Sequence, residues 1–160
     1  MCKKIVVLGL GNILLKDEGV GVCVAEEIAK RSLPENVEVI DGGTASLDIL
    51  TSMKEVDKLI IIDALRGGEK PGTVYRLHPE DLLTPSDTHV SLHQMHVLEG
   101  LSAAEKMGNA PQETVIIGVE PEEIDWGVGV TSTVKRKIPE ITDIVLQEVG
   151  NACYRAKANS

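Results

Sequence analysis

Two stretches decide the fold: Ile5-Val6-Val7-Leu8-Gly9-Leu10-Gly11-Asn12 and Leu59-Ile60-Ile61-Ile62-Asp63. Each is a short aliphatic run, rich in β-branched residues, with no alternation of polar and apolar positions. Such a run reads as a strand buried on both faces, which parallel α/β sheets provide by covering each face with helices. Working outward, 4–9 is the first strand. A helix is expected from about Glu18 to Arg31, with Val20, Val24 and Ile28 at four-residue steps and Pro34 as its stop. Residues 37–41 form a second strand, 46–55 a helix and 58–63 the third strand. Residues 73–77 alternate like an edge strand, and 79–90 are a surface segment. A helix over 92–107, a strand over 114–120, a loop over 122–129 and a helix over 132–154 follow, Pro139 kinking that helix or marking a second start. The expectation is one α/β domain over 1–160: a mostly parallel five-stranded sheet with helices on both faces.

Composition narrows the function. The 160 residues include no Phe, one Trp and two Tyr, so the core is aliphatic. A net charge of −9 argues against nucleic acid or an anionic membrane as partner. No apolar run is long enough to span a bilayer, and no signal-peptide pattern precedes the first strand. Cys2, Cys23 and Cys153 are far apart and odd in number, which suits a reducing compartment. A cytoplasmic protein is expected.

Three residues stand where strands give way to turns or helices: Glu18, Asp63 and His93. Ligands of open α/β sheets bind outside the carboxyl ends of the strands. Two carboxylates and an imidazole on that edge suit a divalent first-row ion. Each has a plainer reading. Acids at 17 and 18 complement a helix dipole, and Asp17 reads as an N-cap. Glu18 fits that role less well, because Gly19 and Gly21 weaken the helix there and suggest a close approach to the backbone. Asp63 ends so apolar a strand that its charge needs a partner or a metal, the alternative being a cap for a short helix at Ala64-Leu65. A lone His on a helix is more often exposed or a satisfied core residue than a ligand. His89, His93 and His96 are spaced to share a helical face, although Thr88 and Ser91 suggest a helix start that leaves His89 outside.

Gly9-x-Gly11 after a first strand invites a dinucleotide reading, which fails because Leu14 stands where the third glycine belongs. No serine or cysteine has the setting of a nucleophile; Cys23 reads as a small core residue. Asp41-Gly42-Gly43-Thr44 reads as a strand-ending turn or a loop able to hold a ligand's amides.

The run Gly9-Leu10-Gly11-Asn12-Ile13-Leu14-Leu15-Lys16-Asp17-Glu18-Gly19-Val20-Gly21 resembles the opening signature of the hydrogenase maturation endopeptidases, which trim the C-terminal extension from the large subunit of [NiFe]-hydrogenases. The likeness continues through Asp41–Thr44, Leu59–Ala64, Pro71–Thr73, Ser91–Gln94, Ile117–Pro121 and Trp126–Thr131, almost the whole chain in order. It implies a twisted α/β sheet flanked by helices. It also implies that Glu18, Asp63 and His93 engage nickel already installed in the precursor large subunit, the nickel arriving with the substrate. Another divalent ion could fill the same ligands in the isolated protein. His89 and His96 are additional histidines beside the implied ligand. Water would be the attacker, as in an aspartyl-type protease, with Asp63 the first choice of base. Gly42, Gly43 and Thr44 would align the substrate tail as an extended segment. Two rivals stand beside this reading. One is a non-catalytic nickel-loading checkpoint or chaperone using the same three ligands. The other is a small-molecule metal hydrolase, which calls for a closed pocket.

Overall fold

The computed structural model describes residues 3–82 and 92–158, the side chains of Leu92, His93 and 153–158 excepted. Five strands form one sheet in the order β2-β1-β3-β5-β4: β1 Ile5–Leu10, β2 Val37–Gly43, β3 Lys58–Ala64, β4 Val74–Leu77 and β5 Glu113–Val119. The four strands β2, β1, β3 and β5 run parallel, and β4 closes one edge antiparallel to β5. Helices α1 Val20–Ala29, α2 Ser46–Ser52, α3 Leu92–Lys106 and α4 Ser132–Ala158 complete the fold.

The unbroken apolar runs explain the two layers. Successive side chains of a strand point to opposite faces. Ile5 and Val7 of β1, Ile60 and Ile62 of β3 and Val115 and Ile117 of β5 therefore pack with α1 and α4. Val6, Leu8, Leu59, Ile61 and Ile116 face the other way, toward Leu50 and Met53 at α2 and Val97 of α3. Each fully buried Ile or Leu contributes roughly 1.5–3 kcal/mol of transfer free energy. That is why β1 and β3, unbroken aliphatic runs over Ile5–Leu8 and Leu59–Ile62, occupy the middle of the sheet.

The expected strands and their edge partner are all present. Three details differ. The segment expected to start a long helix at Glu18 is a turn of 3-10 helix, Lys16–Gly19, and α1 proper begins at Val20. Helix α2 stops at Ser52, because Met53 is extended. Helix α4 runs through Pro139 as a single helix, with no second start.

Candidate functional site

The sheet topology selects one place. From β1 the chain crosses to β2 on one side, then returns past β1 to β3 on the other, so the carboxyl ends of β1 and β3 flank a topological switch point. Gly21, in the first turn of α1, sits directly on that point. A Cβ there would lie 2.1 Å from the Ile62 carbonyl oxygen and 2.3 Å from that of Leu10. Only glycine lets the helix come down between the two strand ends. Gly11, at φ 138°, performs a similar service beneath the next turn, where a Cβ would lie 1.9 Å from the Glu18 carbonyl oxygen. The close approach inferred from the glycines thus comes from the protein's own backbone. The glycine that packs helix on strand is Gly21, whereas Leu14 lies on an exposed loop.

Asp63 is the next-to-last residue of β3 and is 5% exposed. It has the parity of Leu59 and Ile61, so it faces the α2–α3 layer. There it lines a small cleft with Ile61, Leu82, Gln94, Val97 and Gly118. Its Oδ1 accepts a hydrogen bond from the Ala64 amide at 2.8 Å. No helix starts at Ala64-Leu65; the Leu65 amide donates instead to the Val119 carbonyl. Asp63 therefore has no helix there to cap.

Glu18 lies in the 3-10 turn, which packs against β3. Its half-buried carboxylate makes no hydrogen bond or ion pair among the described residues. Its neighbour is the opposite case. Asp17 is fully buried and accepts four hydrogen bonds, from the amides of Glu122, Glu123 and Thr131 and from the Thr131 hydroxyl, at 2.7–3.1 Å. This corrects the N-cap reading of Asp17. The side chain makes no cap bond to its own helix and instead ties the β1–α1 loop to the β5–α4 loop.

His93 is the second residue of α3, one turn before Val97 and next to the buried Gln94 that shares the Asp63 cleft. Its side chain is outside the described ones, and so is the whole of His89. His96 is exposed. Among the described residues no three His, Cys, Asp or Glu side chains gather closely enough to hold an ion. At backbone level, the fold brings Glu18 to the end of β3 that carries Asp63 and sets the α3 turn of His93 beside the Asp63 cleft.

Gly42 and Gly43 end β2, the sheet's other edge strand, and Thr44 follows, exposed. Gly42 is buried under Leu8 and Leu10, and the Gly43 carbonyl accepts from the Gly11 amide at 2.8 Å. Cys23 is half-buried, and burial followed by the nearby carboxylate of Glu26 pushes its thiol up, away from thiolate character.

Sequence reasoning missed Glu120. Just past β5, this buried carboxylate accepts from the Gly67 and Gly68 amides at 2.7 and 3.0 Å and fixes the loop after β3. Its partners lie 52 and 53 residues away, beyond the reach of local periodicity.

The family model for hydrogenase maturation protease (HycI) matches residues 22–148. The chain belongs to the hydrogenase maturation protease family. The matched stretch includes Asp63 and His93, whereas Glu18 lies just ahead of it. The chain is similar to the hydrogenase 2 maturation protease of Escherichia coli K12, at 39% identity over 145 residues, 89% of this chain and 88% of that one. It is also similar to the hydrogenase expression/formation protein HupD of Bradyrhizobium diazoefficiens, at 38% identity over 149 residues, 90% of this chain and 77% of the relative. The structure of the hydrogenase maturating endopeptidase HybD from E. coli superposes with a TM-score of 0.83 at 36% identity, covering 93% of each chain. Membership makes the chain a peptidase of α/β architecture. No described helix is long and apolar enough to cross a membrane.

Proposed function

We propose that this chain is an endopeptidase that removes the C-terminal extension from the precursor of a [NiFe]-hydrogenase large subunit once nickel is in place, and that Glu18, Asp63 and His93 recognise that nickel. The observation that carries the reading is the pair of carboxylates at the switch point. One, Asp63, is buried at the end of a central strand, and the other, Glu18, is half-buried with no hydrogen bond or ion pair to its carboxylate among the described residues. A half-buried carboxylate with unmet acceptors is costly unless a cation or donor completes it, and here the substrate brings one. Nickel bound by these groups would set the scissile peptide against Asp63. Asp63 takes a proton from water as the water oxygen attacks the peptide carbonyl, then returns it to the departing amine. This is the chemistry of an aspartyl-type protease. The tail lies as an extended segment at the end of β2, using backbone groups of Gly42, Gly43 and Thr44. Three widely spaced cysteines support a cytoplasmic setting.

The test is to incubate the purified chain with nickel-loaded and nickel-free precursor and to weigh the large subunit. Only the loaded form should be shortened. Asp63→Asn should slow cleavage by at least about 10²-fold while the protein stays folded, because the amide oxygen can still accept from Ala64. Normal cleavage by Asp63→Asn removes Asp63 from the mechanism. Equal processing of nickel-free precursor removes the metal recognition. A wild-type chain that binds loaded precursor without cutting it is the non-catalytic checkpoint instead.

A further inference from the structure

Exposed apolar side chains are concentrated at one end of this protein. Among the described residues, six of the seven large exposed hydrophobics lie at the carboxyl edge of the sheet: Ile13, Leu14, Leu47, Met95, Trp126 and Val128. The first two follow β1, Leu47 and Met95 lie in the first turns of α2 and α3, and the last two follow β5. Only Met107, just past α3, is at the opposite end. Trp126 is 75% exposed and Val128 82%, in a loop whose backbone is held firmly. Leu15 and Gly127 form a parallel bridge, the Gly127 amide donates to the Leu14 carbonyl at 2.9 Å, and the Lys16 amide donates to the Gly127 carbonyl at 3.0 Å. The buried Asp17 anchors the same two loops from beneath. An ordered scaffold that holds a tryptophan in water marks an interaction surface.

The charges around it indicate its partner. Glu122, Glu123 and Asp125 are exposed beside Trp126, Glu18 adjoins Ile13 and Leu14 through the 3-10 turn, and Lys16 is engaged by Glu123 at 2.8 Å. An acidic rim on a chain of net charge −9 opposes a second copy docking here and favours a partner with a basic rim. The surface is also wide. Leu47 follows β2 and Trp126 follows β5, three strand spacings apart in the sheet order, which is on the order of 14 Å. A single extended tail lying parallel to the strands, as one added at the end of β2 would, is about one such spacing wide. We propose that the carboxyl edge docks the folded, nickel-bearing body of the large-subunit precursor, with Trp126 and Val128 as its apolar anchors and the acidic residues meeting a basic rim. This rests on the proposed function and names the part of the substrate that is read.

The double variant Trp126→Ser/Val128→Ser removes the anchors without touching the core or the carboxylates of the site. Cleavage of nickel-loaded precursor should show KM raised at least about tenfold, with kcat within about twofold of wild type. Direct binding of intact precursor should weaken by the same factor, and Met107→Ser should change neither. A synthetic peptide of the C-terminal extension should bind both proteins equally. An unchanged KM and affinity overturns the docking surface. Equal loss toward the peptide overturns the folded-body partner in favour of a tail groove. A wild-type dimer that the double variant converts to monomer overturns it in favour of a second copy. A wild type that binds precursor and cuts none refutes the proteolytic reading alone, and the binding comparison still decides the surface.

Discussion

At the scale of single residues, the adjacent acids Asp17 and Glu18 stand in opposite surroundings. Asp17 is consumed by four donors from residues 105–114 positions away, and Glu18 has none among the described residues. Replacing Asp17 with Asn turns an amide NH₂ toward backbone amides and removes the charge from several charge-assisted bonds. Stability should fall by roughly 2–3 kcal/mol, read as a lower urea midpoint. Glu18→Gln should leave stability within about 0.5 kcal/mol but raise KM for loaded precursor, with rescue at high substrate. A reversed order, Glu18→Gln the more destabilising, would show that the two roles are misassigned. In the sequence both acids suit the dipole of the following helix, and only the glycines at 19 and 21 set Glu18 apart from Asp17, which reads as a plain N-cap. What gives Asp17 its partners is the loop ending at Thr131, which only the folded chain brings near.

At the scale of elements, β1, β3 and β5 were legible because a strand buried on both faces needs an apolar residue at every position, and few other segments of the chain have that pattern. The start of α1 was not legible. Its apolar period begins at Val20, but Gly19 and Gly21 are set by backbone contacts with Ile13, Leu10 and Ile62. Gly21→Ala should therefore cost about 3 kcal/mol or more, since two strand carbonyls cannot move aside, and the loss would be measured in urea. The same blindness hid the amino edge of the sheet. There Lys58, the first residue of β3 and 4% exposed, donates to the Oε2 of Glu148 on α4 at 2.8 Å, and Arg76 of β4 pairs with the other oxygen. Burial pushes the Glu148 carboxyl up, but Arg76 and Lys58 together outweigh it and hold the carboxyl below its ordinary value of 4.5. A depressed folded value lends stability that is fully present above the unfolded range and lost as pH falls below about 4.5 toward the folded value. Urea stability of the wild type should decline through that acid window. Glu148→Gln should remove this share of the decline while costing about 3 kcal/mol at pH 7, because Lys58 is left buried with a weaker partner. A variant with the wild-type pH profile would free Glu148 from this role.

At the scale of the whole molecule the two sheet edges divide the labour. The amino edge is closed by ion pairs, whereas the carboxyl edge carries Asp63, Glu18 and six of the seven large exposed hydrophobics among the described residues. Such an edge stays in place only if the sheet beneath it does not open locally. Strands β1 and β3 give alternate residues to both core layers, so stripping either helix layer exposes the reverse faces of the same central strands. We infer that residues 3–82 and 92–158 unfold as one cooperative unit. The check is native-state hydrogen exchange together with a urea titration followed by far-UV circular dichroism. Amides of Val6–Leu8 and Leu59–Ile62 should exchange with one common free energy equal to that of the single urea transition. Trp126, standing in water, would serve poorly as a fluorescence probe of core unfolding. Two separate transitions, with one helix layer surviving the other, would mean that the faces are independent and that the switch point between β1 and β3 is a seam.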